Sequence, residues 1–343
     1  MIGKARMTAG FLALLLLAAP AFAKDPLPHI KIAVGGANCV CYLPTMLAQQ
    51  LGAYEQAGVE VELINFKGGQ PALTAVLGGS ADVVSGYYDH CVNLAAKNKE
   101  LQAFVTYDRV PGFVLVVVPK AAGEIKSVKD LVGKKVGVTA PGSSTDFFVK
   151  YMLAKEGVDP AKVPIIGIGA DATAVAAVEQ GLVDAAVVLD PVATLLQGRH
   201  KDMRVLSDTR SVKDTVAVFG GEYPGGSLYA PTAWVEKHPK EVQALVDAIV
   251  STLKWIQGHS AEEIMAKMPP ELIGPDRELY LAALKNTIPI YSKTGKMDPK
   301  GAEAVLAVFS LSVPEVANAK IDLDKTYSNA YADKADAKFG VTQ

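Results

Sequence analysis

The sequence predicts an α/β protein built from two successive sheet-and-helix blocks, and three observations carry that expectation. Strand-like and helix-like runs alternate from Ile30 to Asp208, the pattern of mainly parallel sheets with helices packed on their faces. Glycine-rich loops follow the strand-like runs "HIKIAVGG" and "VEVELINFKGG", at the strand ends where such sheets hold small ligands. The chain has 343 residues, of which 50% are hydrophobic and 20% charged, enough to bury the cores of two domains.

In the first block "HIKIAVGG" reads as a strand, "LPTMLAQQLGAYEQAG" as a helical stretch stopped at Gly58, and "VEVELINF" as an alternating strand. "QPALTAVLGGS" is a short helix, "ADVVSGYY" a strand, and "CVNLAAKNK" a helix. "LQAFVTYD" and "FVLVVVPK" close this block as strands. The second block opens with "SVKDLVGKKVGVT", a helical turn and a strand, followed by the helix "DFFVKYMLAKEG". "VPIIGIG" is a strand, "ATAVAAVEQG" a helix, and "VDAAVVLDP" and "DMRVLSD" are strands. After "GEYPGGSLYA" the chain turns mostly helical, with "PKEVQALVDAIVSTLKWIQG" the longest run of 3.6-residue apolar spacing.

The formal net charge of -2 gives no basic footprint for a nucleic acid, which needs clustered Lys and Arg. Lys4 and Arg6 precede the apolar run "FLALLLLAA", and "AFA" ends at Ala23. This is the layout of a cleaved secretory signal over residues 1–23. The run is shorter than the roughly 20 residues a spanning helix needs. The mature protein is therefore expected to be exported and soluble. Export also colours the three cysteines, Cys39, Cys41 and Cys91, because an oxidising compartment favours disulfides. Cys39 and Cys41 stand very close in sequence, so a bridge from Cys91 to one of them is the expected pairing. Free thiols and a metal site are the alternatives.

The glycine-rich first loop with "LGAYEQAGVEVELINFKGG", then "IKSVKDLVGKKVGVTAPGSSTDFF", "AVEQGLVDAAVVLDP" and "WVEKHPKEVQALVDAIVSTLKWI", resembles the periplasmic substrate-binding proteins of ABC importers. The nitrate, sulfonate and taurine type, with its thiamine-pyrimidine-precursor-binding relatives, is the nearest group. The resemblance spans nearly the whole mature chain and rests on the order and spacing of these segments. It implies a two-lobed periplasmic binding protein fold of type II, each lobe a mainly parallel sheet flanked by helices, with the ligand in the cleft. Lobe one would comprise residues 24–115 plus 225–343, and lobe two residues 116–224. The implied partners are a small-molecule ligand and the permease subunits of the inner membrane. The protein would act as a periplasmic monomer without cofactor or metal.

The loops then supply the candidate ligand residues. In "PGSSTDFF", Gly142, Ser143, Ser144 and Thr145 lead into a helix. Ser143 stands where a cap belongs, with Asp146 three residues on as in a capping box. The same helix start leaves backbone N–H groups free for an anion. No G-x-S-x-G elbow surrounds these hydroxyls, so a nucleophile is not expected. In lobe one, "GGANCVCYLPT" offers Asn38, Cys39 and Tyr42, and "FKGGQPA" offers Gly68, Gly69 and Gln70. "GYYDHC" contributes Tyr87, Tyr88, Asp89 and His90; alternation sends the two tyrosines in opposite directions, and Asp89 could instead cap the next helix. Arg109 is the candidate clamp for a carboxylate or sulfonate, with a surface ion pair as its ordinary alternative. Asp190 in "VVLDP" and Tyr223 in "GEYPGG" complete the set.

Two function classes follow. The first is a binding module that captures a small organic anion, a carboxylate or sulfonate, aliphatic or aromatic, and closes on it by hinge motion. A pyrimidine-type nitrogen heterocycle is the alternative cargo, with Asp89 or Asp190 as its partner. The second class is an enzyme, because the family also resembles cytosolic proteins that make the thiamine pyrimidine with a sacrificial His and iron. His90 and the cysteines prompt that comparison; the export signal and the lack of a dense cysteine cluster oppose it. Cys39, Cys41, His90 and Cys91 could suit a soft metal, but C-x-C plus H-C lacks the paired spacing of a zinc site.

Overall fold

A computed structural model describes residues 26–340; the signal segment read at 1–23 lies outside the described residues. Among the described residues ten strands form two five-stranded sheets. They are β1 (His29–Val34), β2 (Glu60–Asn65), β3 (Val83–Tyr87), β4 (Leu101–Thr106), β5 (Val114–Val117), β6 (Val136–Val138), β7 (Ile165–Gly167), β8 (Ala185–Val188), β9 (Val205–Asp208) and β10 (Gly226–Pro231). The first sheet has the order β2-β1-β3-β10-β4 and the second β7-β6-β8-β5-β9.

The two sheets share one layout. In the first, β1 pairs in parallel with β2 and β3, while β10 runs antiparallel to β3 and β4. In the second, β6 pairs in parallel with β7 and β8, while β5 runs antiparallel to β8 and β9. The antiparallel strand of each sheet is the one that follows a chain crossing from the other lobe. Thus β5 belongs to the second sheet, which corrects its expected place at the close of the first block. A run such as "FVLVVV" is apolar on both faces, so it suits a covered central strand in either sheet. Val114, Val116 and Val118 pack into one apolar cluster, and Leu115 and Val117 into the other, the period-2 division of a two-faced strand.

Helices cover the sheets where the apolar spacing placed them. The long expected helix after β1 is broken in two, Leu43–Gln50 and Ala53–Ala57, at Gly52. Helix Pro239–Gln257 spans 19 residues and buries Val242, Leu245, Val246, Ile249, Val250 and Leu253. That spacing gives one apolar stripe along the helix. Helix Pro299–Ser312, from the C-terminal part of the chain, packs against helix Ser144–Lys155 of the second lobe. Phe309 meets Phe147 there with ring centres 4.9 Å apart. Among the described residues no helix is long and apolar enough to cross a membrane.

Candidate functional site

The carboxyl ends of the parallel strands of both sheets face one another, and the loops that leave them meet at a narrow central cleft. It is lined from the first lobe by Gly35, Tyr42, Gly69 and Tyr87, and across from them by Phe113, Thr139, Ser143, Ser144, Thr145 and Leu189. The lobes are closed so tightly that the enclosed space holds hardly more than about one water molecule. No side chain lining it carries a charge.

Two helix starts meet here, one from each lobe. Helix Gly69–Leu77 follows β2, and helix Ser144–Lys155 follows β6. The Gln70 N–H donates to Ser143 Oγ across the cleft at 3.0 Å. A Cβ at Gly68 would lie 3.1 Å from Ser143 Oγ and 3.2 Å from Thr139 Oγ1, so any side chain there would press on the facing loop. Ser143 has the extended backbone of a capping residue, but its side chain makes no cap bond. The expected capping box is not formed: Asp146 accepts instead from the Gly142 N–H at 2.7 Å and from Lys150 at 2.9 Å. Ser144 and Thr145 occupy the first two helical positions, whose N–H groups have no acceptor inside the helix. Among the described residues neither has another protein acceptor. Thr145 Oγ1 lies 2.9 Å from Thr139 Oγ1 and takes the Thr139 N–H.

Aromatic rings from both sides of the cleft pack together at one end. Tyr42 and Tyr87 meet edge to face with centres 5.9 Å apart, and Tyr87 stacks on Phe113 at 5.5 Å. The Tyr87 hydroxyl donates to Pro111 O at 2.6 Å. The Tyr42 hydroxyl lies beside Gly35, 3.0 Å from where a Cβ there would stand. Tyr88 points the other way, as alternation requires, and its hydroxyl lies 2.5 Å from Thr326 Oγ1 among the C-terminal elements. It is buried but does not reach the cleft.

Asp89 sits behind Ser144. It does not cap the helix it begins, and it accepts from Ser144 Oγ at 2.8 Å and from the Tyr223 hydroxyl at 3.0 Å. Burial pushes its carboxyl up to about 7, against the opposing effect of those two hydroxyls and the His90 N–H. Beside it, burial lowers the His90 imidazole to about 4, so the ring is neutral near pH 7.

Other candidates stand elsewhere. Arg109 pairs with Glu222 at an exposed site, its Nε donating to Glu222 Oε2 at 3.2 Å. It lines a different hollow, with Ser292 and Lys296, so it does not clamp the cleft. Asp190 turns its carboxylate away from the cleft. It takes the Thr194 N–H and hydroxyl at 2.8 and 2.7 Å and pairs with Arg210 at 3.4 Å. Its backbone carbonyl, however, accepts the Val40 N–H at 3.0 Å and so ties the lobes together. Asn38 donates to Glu271 O at 3.2 Å and lines a larger hollow of about 600 Å³ between residues 170–199 and 271–280.

The disulfide differs from the expected one. Cys39 pairs with Cys41, and Cys91 is free and buried. The 3-10 turn Val40–Tyr42 brings the two Cα atoms to 5.1 Å, inside the range a disulfide spans, which proximity in sequence had seemed to forbid. With both sulfurs so bonded, the soft-metal reading loses two of its four ligands. Gly35, Phe113, Thr139 and Leu189 are cleft residues that the sequence reading missed. Thr139 was open to detection, since it ends β6 directly before the "PGSST" loop; Phe113 and Leu189 looked like ordinary core.

Comparisons with known proteins agree with this architecture. A protein-family profile described as NMT1/THI5 like matches residues 41–263. A Bordetella bronchiseptica RB50 protein of known structure is 40% identical, with a TM-score of 0.88 over 91% of this chain and 98% of that one. The alkanesulfonate-binding protein SsuA of Xanthomonas axonopodis pv. citri, bound to MOPS, is 18% identical, with a TM-score of 0.68 over 90% of this chain and 100% of that one. The periplasmic nitrate-binding protein NrtA of Synechocystis PCC 6803 is 17% identical, with a TM-score of 0.64 over 92% and 90%. The fold is that of the periplasmic binding proteins.

Proposed function

Because the chain belongs to the NMT1/THI5-like family, and its lobes meet over a cradle of neutral donors, we propose that it is the solute-binding component of an ABC importer. Its cargo is a small organic anion, a carboxylate or sulfonate with a flat or apolar body, handed to permease subunits in the membrane. The exported, mature chain works as a periplasmic monomer and binds rather than transforms its solute.

The observation that carries this reading is the meeting of two helix starts, one per lobe, within a 3.0 Å contact of Gln70 N and Ser143 Oγ. Each start has the positive end of a helix dipole. Among the described residues the second leaves the Ser144 and Thr145 N–H groups without a protein acceptor, and the first leaves that of Gly69, its Gln70 N–H being taken by Ser143 Oγ. An anion held between the two starts gains from both helix ends at once and so favours closure. The Tyr42 hydroxyl adds a donor, and Tyr42, Tyr87 and Phe113 offer flat faces to the organic body. Relatives that bind alkanesulfonate or nitrate have acidic-oxygen cargo, which suits such a cradle. A nitrogen heterocycle of the pyrimidine type is the second reading. It is favoured by the buried Asp89 carboxyl, which a ring amine could engage in place of Ser144 and Tyr223.

A thermal-shift screen of the dialysed protein against sulfonates, carboxylates, nitrate and aminopyrimidines tests the choice. A ligand that binds the folded state alone raises the melting temperature. The proposal expects the rise with an organic acid. A rise with aminopyrimidines alone would replace the anion by the heterocycle.

A further inference from the structure

His90 is completely buried, yet among the described residues neither ring nitrogen has a hydrogen-bond partner. Buried polar groups are almost always bonded, and each exception calls for a reason. The ring lies between Phe147 of the second lobe, 5.6 Å away, and Tyr229 of β10, 6.4 Å away. Its Nε2 faces Gly69. A Cβ on Gly69 would stand 3.0 Å from Nε2 and 4.0 Å from Ser143 Oγ. Gly69 begins a helix and has no positive φ, so its backbone does not demand glycine. Its missing side chain leaves instead a window between the imidazole and the donor cradle.

We propose that His90 is a specificity-determining residue of the cleft: its Nε2–H reaches past Gly69 and donates a hydrogen bond to an oxygen of the bound acid. This rests on the anion reading above and adds a third donor set, from deep in the first lobe, to the two helix starts. The ring has one proton to place, because burial keeps it neutral. An unpartnered lone pair is better tolerated in a protein interior than an unpartnered N–H. The proton therefore belongs on Nε2, which looks toward the cradle, and Nδ1 is left bare. A neutral donor there holds an oxygen of the acid without adding a cation, and it disfavours a cargo that presents only N–H or ammonium groups to that wall.

The test uses the full chain labelled with ¹⁵N-histidine, with methanesulfonate and acetate as probes and calorimetry run alongside. The five histidines are sorted by a His90→Gln sample. On saturation, the His90 Nε2–H resonance shifts and the methyl protons of the probe give a nuclear Overhauser effect to the His90 ring. His90→Gln weakens probe binding by about tenfold or more. Gly69→Ala keeps the imidazole but closes the window, and lowers affinity by a similar factor with the histidine still in place. Binding heat with no Overhauser effect and unmoved His90 resonances overturns the proposal and leaves the anion reading intact. A His90 Nε2 found without its proton in the bound state also overturns it. Absence of heat with every acid removes the anion reading itself, and this proposal with it.

Discussion

Asp89 and Asp190 occupy the same place in two sheets of the same order, just past the carboxyl ends of β3 and β8. Both are buried, and burial raises both carboxyls. Their partners differ. Asp190 is held inside its own lobe by Arg210, which also grips Asp208 with a 2.5 Å contact and Gln197 at 2.9 Å. Asp89 has no basic partner among the described residues and is held by hydroxyls, Ser144 from the facing lobe and Tyr223 from the segment leading into β10. Equivalent topology thus places a carboxylate at the cleft edge twice. Its partner decides whether it braces one lobe or joins two.

Removing the brace gives the largest expected effect. Arg210→Ala leaves Asp190 and Asp208 without their cation, and a buried pair broken on one side costs about 3–5 kcal/mol. Urea unfolding should show that loss; a loss below about 1 kcal/mol would erase the distinction between the two aspartates.

The next effect is read against pH. Burial raises the Asp89 carboxyl from its ordinary 3.8 to about 7 in the folded chain, so between those values the folded state holds more protons than the unfolded. Its stabilising contribution is therefore complete below about pH 4 and is lost as pH rises toward 7, by roughly 3 kcal/mol. His90 slopes the other way: burial lowers it from the ordinary 6.5 of an imidazole to about 4, so stability is lost as pH falls from 6.5 toward 4. Unfolding curves from pH 4 to 8 should show Asp89→Asn gaining on the parent chain as pH rises. In Asp190→Asn the gain should be smaller, because Arg210 opposes the shift. Parallel curves for Asp89→Asn and the parent would contradict the assignment.

Gly68→Val tests closure itself. The new side chain meets Thr139, Ala140 and Ser143 only when the lobes are shut. Calorimetry should show affinity for the bound acid reduced about 10- to 100-fold, the usual cost of overpacking, with little change in the melting temperature of the free protein. The smallest effect belongs to Arg109→Ala. Its pair with Glu222 is exposed, so stability should change by less than about 1 kcal/mol and affinity should stay unchanged. A large loss of affinity would restore Arg109 as the clamp.

These contrasts also mark what a linear sequence discloses. The alternation of "HIKIAVGG", helix and "VEVELINF" fixed β1 and β2 because their partners are near in sequence and their periodicity is distinct. The "FVLVVV" strand was assigned to the wrong sheet because its two apolar faces suit either core, and only tertiary pairing with β8 and β9 decides. Within the site, the helix start at Ser143–Thr145 and the glycines at 68 and 69 were legible, since caps and close approaches need particular residue types. Arg109 and Asp190 looked equally suitable. What removed them is a side-chain partner distant in sequence, Glu222 for one and Arg210 for the other. The Cys39–Cys41 pairing depended on a turn conformation that no spacing rule reported.

The most direct measurement compares methanesulfonate with dimethyl sulfone, an uncharged molecule of similar shape, by titration calorimetry on the dialysed protein. A cradle of helix starts and hydroxyls built for an acid predicts saturable one-to-one binding of methanesulfonate and none of the sulfone. Equal binding of the two, or binding of the sulfone alone, would contradict the account, because charge would then play no part in what the cleft captures.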